Sequence, residues 1–178
     1  MTSETLALLQ VGPGLNYPLH ELVTYVSERM PDFQPVLAPS ITNPGEAFDS
    51  LRKQYHSTRI IVILENHASL ARFERKLGLT SLDLYNPGRD GRGYVFGESR
   101  CPGSSGIVST FRLTSSGPTL FGSRVRKEVV HELSHMLGLK HCGRPQCVMH
   151  QSETVSDMDA KMDDYCDGCR LTLGKSGS

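Results

Sequence analysis

The sequence has no surplus of either charge. Lys and Arg together number 19, Asp and Glu together number 19, and the formal net charge is zero. A protein that coats DNA or RNA carries a basic excess, and so does a polybasic binder of membrane surfaces. Neither partner is expected. Long apolar runs are also missing. The strongest is Ile60-Ile61-Val62-Ile63-Leu64, far short of the roughly 18 residues that suggest a bilayer span. Met1-Thr2-Ser3-Glu4 places no positive segment ahead of an apolar one. A secretory signal is therefore not expected, and the expected address is cytoplasmic. No internal repeat is visible, and the one low-complexity stretch is the tail Gly174-Lys175-Ser176-Gly177-Ser178.

What is present suits one domain of ordinary size, with a monomer as the default. The 178 residues are 38% hydrophobic and 21% charged. A chain this long removes roughly 70% of its unfolded surface from water, enough for a real core. Five cysteines occur, and four of them (Cys142, Cys147, Cys166 and Cys169) fall in the last 37 residues. A disulfide framework spreads over a fold and needs an oxidising compartment, so this crowding reads better as metal ligation.

The order of elements points to an α/β fold. Residues 5–11 are a short apolar segment closed by Gly12-Pro13-Gly14, a strand and turn. Leu19, Leu22, Val23, Val26 and Met30 have helical spacing, and Pro31 stops the helix. Residues 33–37 read as a second strand. Pro44 and Gly45 open a helix over 46–55, with Ala47, Phe48 and Leu51 on one side. The β-branched run over 59–64 reads as a strand buried on both faces. Together these give β-α-β-α-β and a largely parallel sheet covered by helices. Residues 85–105 are rich in Gly, Pro and Arg around Tyr94-Val95-Phe96. Gly88, Gly91 and Gly93 have the wrong order for a phosphate-cradling loop, and no helix follows. A strand over 106–113 and a long helix over 119–139 come next.

The long helix carries the chemistry. His131-Glu132-Leu133-Ser134-His135-Met136-Leu137-Gly138-Leu139-Lys140-His141 reads HExxHxxGxxH. With His131 at zero on a 3.6-residue wheel, His135 lies at about 40° and Glu132 at about 100°. Val125, Val129, Val130, Leu133, Met136 and Leu137 fall on the far side, between about 120° and 260°. Such a helix turns its back to a core and its front to an ion. A straight helix would carry His141 away, whereas Gly138 can adopt positive φ, end the helix and turn the chain back. Three imidazoles on one cation leave a fourth position open, as at a catalytic zinc. The second cluster is Cys142-x4-Cys147, then 18 residues, then Cys166-x2-Cys169. Four thiolates make a closed, structural zinc site, which can fold a segment too short to bury its own core. Disulfides and an iron–sulfur cluster are the alternatives, disfavoured by context and by spacing.

HExxHxxGxxH resembles the extended motif of the metzincin metalloproteases. Cysteine directly after the third histidine, then Cys147-Val148-Met149 and a distal Cys-x-x-Cys, resembles the archaemetzincins in particular. Gly97-Glu98 and Phe111-Arg112-Leu113 belong to the same likeness. The interval from Met149 to Cys166 is about one residue shorter than the family pattern. The resemblance implies that His131, His135 and His141 hold the catalytic zinc and that Glu132 is the general base. It implies that Met149 is the methionine of a Met-turn and that Cys142, Cys147, Cys166 and Cys169 hold a second zinc. Two zinc ions per chain follow, with a peptide or protein as substrate. The implied fold is metzincin-like: a twisted, mostly parallel sheet, a backing helix and the active-site helix, and a small zinc-stapled C-terminal subdomain. The division falls at 1–138 and 139–178 within one compact catalytic domain.

Further expectations attach to single residues. Glu128 is read as the i,i+4 ion-pair partner of Arg124, or else as a group that touches substrate or a ligand histidine. By analogy with metzincin architecture, residues 107–113 form the upper edge of the cleft and pair with substrate backbone. Cys101 is read as a small buried apolar residue, or else as a thiolate latch on the open zinc position. Tyr94 and Tyr165 are both candidates to aid an oxyanion. His20, His56, His67 and His150 have no ligand spacing. Two other functions compete. One is a four-cysteine interaction module, which would need a basic face that residues 142–178 lack. The other is a zinc hydrolase or pseudo-enzyme whose substrate is not a peptide.

Overall fold

Alternating side chains on one central strand define two cores. In the computed structural model, which describes residues 3–88, 93–115 and 117–176, strand β1 runs Glu4–Gln10. Successive strand residues point to opposite faces. Leu6 and Leu8 enter one apolar cluster with Leu22, Val26, Val125, Val129 and Leu133. Ala7 and Leu9 enter another with Ile60, Ile61, Leu64 and Ile107. The sheet is therefore the middle of three layers.

Helix α1 spans Leu19–Arg29 and strand β2 spans Phe33–Leu37, as the spacing predicts. The next two expectations are overturned. Residues 46–55 form no α-helix. One 3-10 turn, Gly45–Ala47, leads into strand β3, Phe48–Asp49, and its antiparallel partner β4, Gln54–His56. The Asp49 carboxylate accepts from the amides of Leu51 and Arg52 at 3.0 and 3.1 Å, and Lys53 takes φ 58°. That side-chain turn reverses the chain where a helix would have continued. Residues 59–64, in turn, belong to helix α2, Ser57–Asn66. Burial falls on Ser57, Ile60, Ile61 and Leu64 while Val62 is 44% exposed. Packing of this helical stripe outweighs the weak strand preference of β-branched residues.

The third parallel strand is β5, Arg75–Thr80, in a region to which the sequence reading assigns no element. Strand β6 is Leu84–Tyr85, β7 is Gly97–Ser99 and β8 is Ser105–Ser109. The main sheet has the order β2-β1-β5-β8-β7. Its first four strands are parallel, and β7 closes it antiparallel to β8. Strand β8 is thus internal. The expectation that residues 107–113 form an edge is corrected: β7 is the edge, and Phe111–Leu113 is a 3-10 turn. Strands β3, β4 and β6 make a separate small sheet. Gly91 lies outside the described residues, as do Gly177 and Ser178 of the tail.

Helix α3, Pro118–Met136, packs on the sheet opposite α2. Two short helices follow, α4 at Val155–Ala160 and α5 at Asp167–Ser176. Thr154 and Asp157 close a reciprocal capping box at the start of α4, satisfying donors that a helix start leaves open. Val148, Met149, Met158 and Tyr165 join the same apolar cluster as α3. Among the described residues, no helix is long and apolar enough to cross a membrane.

Candidate metal centre and catalytic cleft

Helix α3 delivers His131, Glu132 and His135 to one place. They are 5%, 2% and 6% exposed. The helix then ends as its sequence foretells. Gly138 has φ 95°, its amide donates to the His135 carbonyl at 2.8 Å, and the Leu139 amide donates to the Ser134 carbonyl at 3.0 Å. The turn returns His141 to the histidine pair. Ring centroids of the three imidazoles lie 4.6, 4.8 and 5.3 Å apart, and one nitrogen from each falls within 4.8 Å of the others.

The ring orientations are fixed from behind. His131 Nδ1 lies 2.9 Å from the Val148 carbonyl and His135 Nδ1 lies 2.5 Å from the Leu139 carbonyl. Each Nδ1 therefore donates, and each Nε2 presents a lone pair. The two Nε2 atoms are 3.1 Å apart. A cation between these facing lone pairs would suit that distance, since Zn–N bonds of about 2.0–2.1 Å at a tetrahedral angle set nitrogens about 3.3 Å apart. Burial holds the His131 pKa well below its ordinary value, with the Lys161 ammonium adding to the effect. That favours the neutral ring, the form a ligand needs.

The cysteines meet a similar test. Cys142 and Cys166 sulfurs are 3.7 Å apart, as are those of Cys147 and Cys169. A disulfide needs about 2.05 Å, whereas four thiolates around zinc at about 2.3 Å lie about 3.75 Å from one another. All four sulfurs fall within 4.8 Å. Backbone donation from Cys169 brings the Cys166 thiol down to about 7, while burial pushes the Cys147 thiol up. His141 and Cys142 are consecutive, yet they face different clusters.

The cleft beside the imidazoles is lined by Tyr94, Phe96, Gly97, Glu128, Glu132 and His141, with residues 151–153 opposite. The Tyr94 hydroxyl donates to the Glu153 carbonyl at 2.8 Å and ties the two walls together. Met149 is fully buried in the turn beneath His131.

Several single-residue expectations change. Arg124 is held by both carboxylate oxygens of Asp159 at 2.7 Å rather than by Glu128, and Glu128 lines the cleft instead. Cys101 is exposed, not buried, and its thiol donates to the Leu139 carbonyl at 3.3 Å. Tyr165 sits behind α3 against the Ser134 hydroxyl at 2.7 Å, where burial pushes its pKa up to about 12. Of the two tyrosines, Tyr94 is the one in the cleft. Gly97, Ser99 and Lys161 also touch the site; Gly97-Glu98 is part of the family likeness, while no motif marks Ser99 or Lys161. Ser99 and Glu132 are 33 residues apart.

Comparison with known proteins places the chain in a family. A model of the family described as Peptidase family M54 matches residues 40–175. The archaemetzincin of Methanopyrus kandleri is 40% identical over 133 residues, covering 75% of this chain and 73% of that protein. The archaemetzincin of Haloquadratum walsbyi is 37% identical over 139 residues, covering 73% and 77%. The crystal structure of the Methanopyrus kandleri archaemetzincin superposes with a TM-score of 0.85 at 32% identity, over 98% of this chain and 95% of that one. That of the Archaeoglobus fulgidus archaemetzincin, complexed with malonate, gives 0.80 at 30% identity over 94% and 98%. Fold, imidazole cluster and these likenesses together define a zinc metallopeptidase. The chain belongs to peptidase family M54.

Proposed function

We propose that the chain hydrolyses peptide bonds at a zinc held by His131, His135 and His141, with Glu132 as general base. Cys142, Cys147, Cys166 and Cys169 hold a second, structural zinc in this reading. Residues 139–178 then form a small subdomain, carrying the Met149 turn, that completes the catalytic domain begun by 1–138. The observation that carries it is the convergence of three imidazole nitrogens within 4.8 Å beside the buried Glu132.

Zinc bound by the imidazoles supplies Lewis acidity, lowering the pKa of water to about 7 and polarising the scissile carbonyl. The remaining steps belong to the protein. The Glu132 carboxylate takes a proton from the water that attacks the carbonyl carbon, then delivers it to the leaving amine nitrogen. Donation from His131 and His135 to backbone carbonyls keeps their rings from rotating between turnovers. Among the described residues β7 is an edge strand of the main sheet, and a peptide chain can pair with such an edge as an added strand.

Metal analysis and a peptide-library digest test this reading. Glu132→Ala retains two zincs per chain and loses most turnover, and His135→Ala falls from two zincs to one and loses cleavage. Wild-type hydrolysis by Glu132→Ala would remove the base assignment. Two zincs in His135→Ala would remove the ligand set.

A further inference from the structure

We propose that Ser99 is a positioning residue for Glu132: its hydroxyl holds the carboxylate in place. The proposal rests on reading Glu132 as the general base. Ser99 Oγ lies 2.5 Å from Glu132 Oε2 and 3.0 Å from the backbone carbonyl oxygen of the same residue. A hydroxyl carries a single proton and serves one acceptor at a time. Toward a charged carboxylate that bond is charge-assisted and roughly twice as strong as toward a neutral carbonyl. In the resting state the proton therefore points at Oε2.

Gly97 makes room for the same carboxylate. A Cβ at position 97 would lie 2.8 Å from Glu132 Oε1 and 2.9 Å from its Cγ. Residues two apart on a strand share a face, so Gly97 and Ser99 bracket one side chain. Glu98 points the other way, where Thr58 and Asn86 each donate to its carboxylate at 2.8 Å and the Ser57 hydroxyl adds a third bond. The edge strand is anchored to α2, so the placement of Ser99 does not depend on a free loop.

Ser99→Ala, Ser99→Thr and Ser99→Cys test the idea, measured beside Glu132→Gln. Loss of a bond to a charged group predicts that Ser99→Ala lowers kcat by about 10- to 100-fold. KM should stay within about twofold, with zinc content and melting temperature close to wild type. Ser99→Thr restores the hydroxyl and most of kcat, and Ser99→Cys, a weaker donor, falls between. A wild-type kcat in Ser99→Ala overturns the proposal. So does a loss shared equally by Ala and Thr variants together with zinc loss, which would mark Ser99 as mere packing. If Ser99→Ala does not fold, Ser99→Cys decides: a wild-type kcat there overturns the proposal. Glu132→Gln separates the two readings. If it keeps turnover, the base assignment fails; if it is inactive while Ser99→Ala is normal, only the role of Ser99 fails.

Discussion

The Nζ of Lys161 lies 3.1 Å from the carbonyl oxygen of Val148, the same oxygen that His131 Nδ1 reaches at 2.9 Å. Lys161 is 2% exposed, and its ammonium also donates to the His150 carbonyl at 3.3 Å. Burial lowers its pKa, and the carboxylates of Glu128 and Glu132 oppose that shift. One buried cation thus fastens the turn under the imidazoles and faces the acidic wall of the cleft.

Lys161→Met keeps the volume and removes the donor. Buried carbonyls that lose a partner cost about 1–3 kcal/mol, which in a chain of this size lowers the melting temperature by roughly 2–10 °C. Loosening of the bond behind His131 should weaken zinc binding at the imidazoles by about 10- to 100-fold. Chelator competition reads that affinity directly. Unchanged zinc retention would show that the turn holds without Lys161.

Cys166→Ser tests the second centre. A structural zinc contributes folding free energy outright, and here it would add to the packing of Val148, Met149, Met158 and Tyr165 in the core. The variant should carry one zinc fewer and expose that segment to limited proteolysis, while the fragment before it resists. A variant with two zincs and the wild-type digestion pattern would refute a four-thiolate site.

Acid sensitivity should trace in part to Asp159. The Arg124 guanidinium beside it holds its pKa below the ordinary 3.8. For a carboxylate with a depressed folded-state pKa, the stabilisation is present above the unfolded value and lost as pH falls through the folded one. Asp159→Asn should therefore melt ~2–4 °C lower at pH 7. Between pH 5 and pH 3 it should lose less than the wild type does. Parallel melting curves across that window would assign the acid loss elsewhere.

The parts of the fold that sequence discloses are those whose signal is local. Leu22 and Val26 mark α1, and the His131–His141 spacing marks α3 and the turn at Gly138. Where tertiary contact decides, the local signal misleads. Ile60 and Ile61 look like a strand and pack as a helix. In β5, Lys76 and Gly78 break the apolar pattern, yet Gly78 is required. A Cβ there would come within 2.8 Å of both Ile107 Cδ1 and Val11 Cγ2. The candidate ligands share a motif because one helix and one turn present them. Gly97, Ser99 and Lys161 reach the site from other elements, and no spacing rule connects them to it.

The succession of His141 and Cys142 has a consequence for assembly. On the two-zinc reading, filling the thiolate cage immobilises the backbone that carries the third imidazole. Because such coupling is reciprocal, each ion would favour uptake of the other. Chains holding a single ion would then be scarce, and loading would pass from none to two over a narrow range of zinc concentration.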